Sequence, residues 1–248
     1  MFKYFLSVFS IILGALIWIN FGVGVPNIYS EKVKEPIPPH FYNNSQQSIK
    51  AIKIIALYFI PKNKISQQSA NWKDSLEENL KKLQEFHNLQ FQGRSIISYE
   101  ILDKPVVGFL DNIEYDSDFT QHGNPEGLRR ISAELEQRGI IQGPTSLARS
   151  DLDSLSGEYR VVLILYEGVG ASGSENVALA SNTFMTNPQY ETTRATIVAH
   201  EFYHTLGIPD FYEIPTAIPM SQDIMGLGLS RPIDNTFISR ETLKKMGM

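Results

Sequence analysis

Residues 196–213, "TIVAHEFYHTLGIPDFYE", decide how the chain is read. They hold two of its five histidines, His200 and His204, four positions apart. Glu201 follows the first directly, and Asp210 stands shortly beyond the second. At this composition the spacing H-E-x-x-H arises by chance roughly 0.007 times per chain, so the pattern asks for a physical reason.

The surrounding residues predict a helix over about 193–206. In "ETTRATIVAHEFYHTLG", Thr192 or Thr193 can cap the start, good or tolerable helix formers follow, and Gly207 suits a left-handed C-terminal residue. Side chains four apart on a helix lie one turn above each other, so His200 and His204 aim at a common point, as a zinc ion requires. Glu201 lies about 100° round the helix, off the ligand direction but within reach of a water activated there, the place of a general base. A zinc site that works on substrate needs a third protein ligand and an open position. Gly207 lets the chain leave the helix sharply and Pro209 stiffens the link, which returns Asp210 toward the histidines. Glu213 and Asp223 are further acids within reach by sequence, and Asp223 reads more simply as the anchor of the turn that follows it.

The longer pattern, H-E-x-x-H-x-x-G-x-x-D, resembles the zinc signature of metzincin metallopeptidases, in a version with aspartate as the third ligand. "SQDIMGLG" at 221–228 looks like their methionine turn, with Met225 beneath the metal. Together with "RPIDNTFISRETLKKMGM" at 231–248, these stretches are similar to the M6-like, immune inhibitor A family of secreted zinc metallopeptidases. The resemblance is specific over 196–248 and architectural before that. It implies zinc held by His200, His204 and Asp210, with Glu201 as catalytic base, and hydrolysis of internal peptide bonds in a protein or peptide substrate. Two departures stand out. Tyr203 occupies a position where a small residue is usual, which predicts a ring crowding the cleft. The final "KKMGM" stands where relatives continue into further domains, which predicts no accessory binding domain. A tyrosine assists the oxyanion in related enzymes, and Tyr166, Tyr190, Tyr203 and Tyr212 are all candidates. His40, His87 and His122 lie outside the pattern and read as solvated or capping residues.

The rest of the chain fits this reading. At 248 residues and 42% hydrophobic content, less an N-terminal leader, it supports one catalytic domain of about 200 residues. A net charge of −5 gives no electrostatic footprint for nucleic acid. With no cysteine, disulfides and cysteine-held zinc are excluded. Residues 1–25 open with Lys3 and an apolar run from Phe5 to Val25, long for a signal peptide and about right for one membrane span. Export follows, by a signal peptide or by a membrane tether through residues 5–25, with the catalytic domain outside the cytoplasmic membrane. Residues 26–50, rich in Pro, Asn, Ser and Gln, read as a linker or short pro-segment, and 51–248 as the catalytic domain.

Within that domain the periodicities predict an α/β fold of zincin type, α+β in arrangement. "KIIALYFI" at 53–60, "RSIISYEIL" at 94–102 and "YRVVLILYE" at 159–167 read as strands. Residues 71–91 read as a helix with Trp72, Leu76, Leu80, Leu83 and Phe86 as its core stripe. Residues 124–139 read as a second helix with Pro125 in its first turn and Gly139 at its end. Gly168, Gly170 and Gly173 read as a loosened loop before "NVALASNTFM" at 176–185, taken as the edge strand along which an extended substrate pairs. The expected architecture is a twisted mixed sheet with an antiparallel edge strand, packed on the HExxH helix, and a small C-terminal subdomain with the methionine turn. Two other functional classes compete: an exported binding module without catalysis, in which Glu201 has no purpose, and a calcium-stabilised envelope protein, for which "DNIEYDSDF" at 111–119 supplies clustered acids.

Overall fold

A computed structural model describes residues 49–117, 123–140, 158–211 and 222–246. Its backbone is a six-stranded sheet with the apolar strand β1 (Ala51–Ile60) in its interior. β1 pairs in parallel with β2 (Ile96–Ile101), with β4 (Glu158–Tyr166) and, at its far end, with the two-residue β3 (Val106–Val107). β4 pairs in parallel with β6 (Val177–Ser181), and β5 (Ala171–Ser174) closes the sheet as an antiparallel edge, giving the order β2-β1-β4-β6-β5.

The antiparallel edge strand is therefore present, but its residues differ from the sequence expectation. All five residues of β6 are buried. A strand covered on both faces inside a parallel sheet reads as a continuous apolar run, and "VALAS" is that kind of strand. The following Asn182–Thr186 turns into a short helix, α4, instead of continuing the strand. The true edge, "ASGS", falls in the stretch read as a glycine-loosened loop. Its composition has little β-propensity, so periodicity could not reveal it.

Helices cover both faces of the sheet. α1 (Trp72–Phe91) buries the expected stripe, Trp72, Leu76, Leu80, Leu83 and Phe86, against alternate β1 residues Ile52, Ile54, Ala56, Tyr58 and Ile60. Full burial of each large apolar side chain stabilises by about 1.5–3 kcal/mol, so this interface is a main support of the fold. On the opposite face lies α3 (Pro125–Gln137), which packs Leu128, Ile131 and Leu135 over Leu57, Phe59, Val162 and Ile164. Its start and stop are those read from sequence: Asn124 caps it, Pro125 opens it and Gly139, at φ +65°, follows it. The single turn α2 (Asn112–Tyr115) precedes it.

The HExxH helix, α5 (Arg194–His204), shares the face of α1 and rests on β5 and β6. Thr193 stands at its N-cap position without capping through its side chain, and its hydroxyl turns to the Tyr190 carbonyl instead. Gly173 lets the helix sit close to the edge strand: a Cβ there would come within 2.1 Å of the Glu201 carbonyl oxygen. The C-terminal part, with α6 (Arg240–Lys245), joins the same core through Met225, Ile233, Ile238, Leu243 and Met246. Among the described residues no helix is long and apolar enough to cross a membrane. The expected leader, the linker up to residue 48, His40, His122, Tyr212 and Glu213 lie outside the described residues.

Candidate metal centre

α5 ends where Gly207 adopts φ +78°, a conformation that a side chain would strain. The chain then doubles back, and the Asp210 carboxylate meets both imidazoles. Its Oδ1 lies 3.1 Å from His200 Nε2 and 3.3 Å from His204 Nε2, while the two Nε2 atoms are 3.1 Å apart. Among the described residues these three are the group of histidine, cysteine and acidic side chains that could hold a metal ion.

The proton inventory of this triangle is informative. His200 Nδ1 lies 2.8 Å from the Ile224 carbonyl, and His204 Nδ1 lies 2.7 Å from the Ile208 carbonyl. A carbonyl only accepts, so each Nδ1 is the N–H of its ring and each neutral ring carries a bare lone pair on Nε2. Three lone-pair atoms therefore point at one another. Among the described residues, Asp210 Oδ1 is buried without a hydrogen-bond donor. A dication removes the conflict. Tetrahedral zinc with bonds of about 2.0–2.1 Å keeps its ligand atoms about 3.3 Å apart, close to the sides of this triangle. Backbone carbonyls that hold the far nitrogen of each histidine are also what orients a metal-ligating imidazole.

Without an ion the same crowding appears as proton sharing. Burial opposes a charge on His200, yet the Asp210 carboxylate and the nearby Glu201 raise its proton affinity. Burial also opposes ionising Asp210, but the two imidazoles outweigh it and hold the carboxyl well below its usual range. Burial raises the Glu201 carboxyl, with Asp210 adding to the effect and the two histidines working against it. Glu201 lines the same cleft as the triangle, together with Gly173, Tyr190, Thr193 and Ile197.

The "DIM" turn supports this triangle from below. Asp223 is fully buried; its Oδ1 accepts from Met225 N at 2.8 Å, and its Oδ2 from Ser239 N at 2.6 Å and Thr242 Oγ1 at 2.9 Å. The turn then presents the Ile224 carbonyl to His200 and the Met225 carbonyl to Phe211 N, next to Asp210. Three consecutive residues thus orient two of the three candidate ligands. Asp223 is accordingly turned to the turn and α6, as the sequence indicated, and Met225 is wholly buried in the core.

Two expectations are corrected. Tyr203 does not crowd the cleft: it is fully buried and its hydroxyl reaches His87 Nδ1 at 3.1 Å. His87 is neither solvated nor capping. It is fully buried, stacked on Phe91 and bonded through Nε2 to Ser95 Oγ at 2.8 Å. The spacing contained a signal for this, since His87 lies four residues past Leu83 and seven past Leu80 on the core stripe. Among the tyrosines, Tyr166 is buried on the other face and bonds Asp116, whereas Tyr190 lines the cleft. Asp116 is engaged by Tyr166, Val169 N and Asn124, and the described acids of 111–117 form no cluster fit for calcium.

No family model matches the sequence, and no curated protein matches it. Among solved structures the chain is similar to metalloproteinase-II from Bacteroides fragilis, with a TM-score of 0.42 and 13% sequence identity. The match covers 88% of this chain and 58% of that one, so this chain spans less than two thirds of the protein it matches.

Proposed function

We propose that the chain is a zinc-dependent endopeptidase that acts on protein or peptide substrates outside the cell, with His200, His204 and Asp210 holding the metal and Glu201 as general base. The observation that carries this reading is the triangle of three lone-pair atoms 3.1–3.3 Å apart, whose histidines have both Nδ1 protons committed to backbone carbonyls. Glu201 in the same cleft separates a working site from a structural one, because a closed structural site needs no base.

When bound, zinc supplies Lewis acidity, which brings water within reach of deprotonation near neutral pH and polarises a carbonyl. The chain's own residues position and move the proton. Glu201, one residue after a ligand and facing the same cleft, takes a proton from the attacking water. The water oxygen bonds to the carbonyl carbon, the C–N bond breaks, and the nitrogen leaves with the proton that Glu201 held. Glu201 ends as it began. The backbone of Gly173, against Glu201 and His204, offers hydrogen bonds to an extended substrate at the point of cleavage. Tyr190, which lines the cleft, assists the oxyanion in this reading. Residues 1–25 serve export or membrane anchoring in this reading.

Release of peptides from unstructured casein, or cleavage of short peptides, by the zinc-loaded protein tests it, whether the cut bond lies deep in the chain or near one end. Glu201→Gln keeps its zinc and loses about 10²–10⁴-fold in rate, the usual worth of a general base. Equal turnover by the variant, or loss of zinc together with activity, contradicts the assigned roles.

A further inference from the structure

The edge strand is open over only part of its length. Gly170 O accepts from Ser181 N at 2.9 Å, which fixes the alternation along β5. Gly170, Ser172 and Ser174 turn their backbone groups toward β6, and Ala171 and Gly173 turn theirs outward. Ala171 is already engaged: Asn124 N donates to its carbonyl at 3.1 Å and meets Ser172 Oγ at 3.1 Å. The fully buried Asn124 is itself pinned, with Oδ1 accepting from Gly127 N at 2.9 Å and Nδ2 donating to Val169 O at 3.0 Å. Gly123 lies so close over this edge, at φ +104°, that a Cβ would come within 2.3 Å of Ala171 O. Gly123 and Pro125 wall the same cleft as His200 and Glu201.

Among the described residues, what remains of the outer edge is Gly173, directly against Glu201 and His204. From Gly173 to Ala171 is two residues, about 7 Å of strand. We infer that the Gly123–Asn124 strap closes this end of the cleft, so that the site takes oligopeptides whose cleaved bond lies within about two residues of one chain end. The inference rests on the peptidase reading and narrows it: the internal bond that is cut stands near a terminus, and a long polypeptide threading the cleft in both directions meets the strap.

A nested peptide series built around one cleaved sequence, extended separately on each side, tests this with the zinc-loaded full chain. Binding of the same peptides to Glu201→Gln, followed by calorimetry, gives a readout independent of turnover. On one side, growth from two to four residues lowers kcat/KM and affinity at least about tenfold, while growth on the other side does not. Asn124→Ala, which removes the side-chain hydrogen bonds that tie the strap to Gly127, Val169 and Asp116, narrows that gap. Equal tolerance on both sides overturns the strap inference and leaves the peptidase reading intact. Failure of every peptide to be bound or cleaved overturns the peptidase reading, and this inference with it.

Discussion

His87 meets α5 from the core side, and His200 and His204 face the cleft; the two regions differ in how their protons balance. Around His87 every group is matched. Ser95 donates its hydroxyl proton to the Ile49 carbonyl, so it accepts from His87 Nε2, and Tyr203 donates to the bare Nδ1. Around His200 and His204 the protons point outward to two carbonyls, and three acceptors face one another. Both regions bury histidine, so burial does not separate structure from function. The arrangement of acceptors does: at His87 each acceptor meets a donor, whereas at His200, His204 and Asp210 three acceptor atoms converge 3.1–3.3 Å apart, as the ligands of a cation do.

Apart from the candidate ligands themselves, the largest effect expected on this contrast comes from Asp223. Asp223→Asn keeps one acceptor oxygen but sets an amide against Ser239 N or Met225 N. This loosens the turn that presents carbonyls to His200 and Phe211. Zinc affinity falls about 10–100-fold, the usual cost of losing a group that orients a ligand, with the circular dichroism of the helices kept. Unchanged zinc affinity would show that the turn does not orient the site.

His87 gives the next effect, and it appears with pH. Burial lowers its pKa from the ordinary 6.5 to about 3, so below 6.5 the unfolded chain takes up a proton that the folded chain refuses. Stability from this group is fully present above pH 6.5 and is lost as the pH falls toward 3, by about 1.4 kcal/mol per pH unit at the steepest. The stability difference between wild type and His87→Gln, followed by urea unfolding, should shrink as the medium is acidified over this range. A difference independent of pH would mean that His87 titrates normally and that its side of the contrast is wrong.

The smallest effect is at Met225. As a packing floor it tolerates a change of similar volume, so Met225→Leu costs less than about 1.5 kcal/mol and keeps most activity at moderate temperature. Loss of zinc in this variant would make the sulfur a ligand, contrary to its burial in the core.

Much of this was legible in the sequence because the signals were local. The His200–His204 spacing, the stop at Gly207 and the return to Asp210 each follow from helix geometry and a left-handed residue. The stripe of α1 and the ends of α3 follow from periodicity and capping. What escaped depends on tertiary placement. "ASGS" becomes an edge strand because Gly173 lets α5 approach its backbone, and "VALAS" becomes interior because that strand lies outside it. Tyr203 turns inward because His87, more than a hundred residues earlier, needs a donor. The strap at Asn124 depends on an outward carbonyl of Ala171 that nothing nearby in sequence announces.

Zinc titration of the full chain, by competition with a chelator of known affinity, tests the central claim most directly. The account predicts one zinc per chain. Asp210→Ala weakens binding more than about 100-fold, because removing a ligand exceeds the roughly 10–100-fold effect of removing a group that only orients one, and Glu213→Ala leaves binding unchanged. Absence of zinc binding, or binding that survives Asp210→Ala at full affinity, would contradict it.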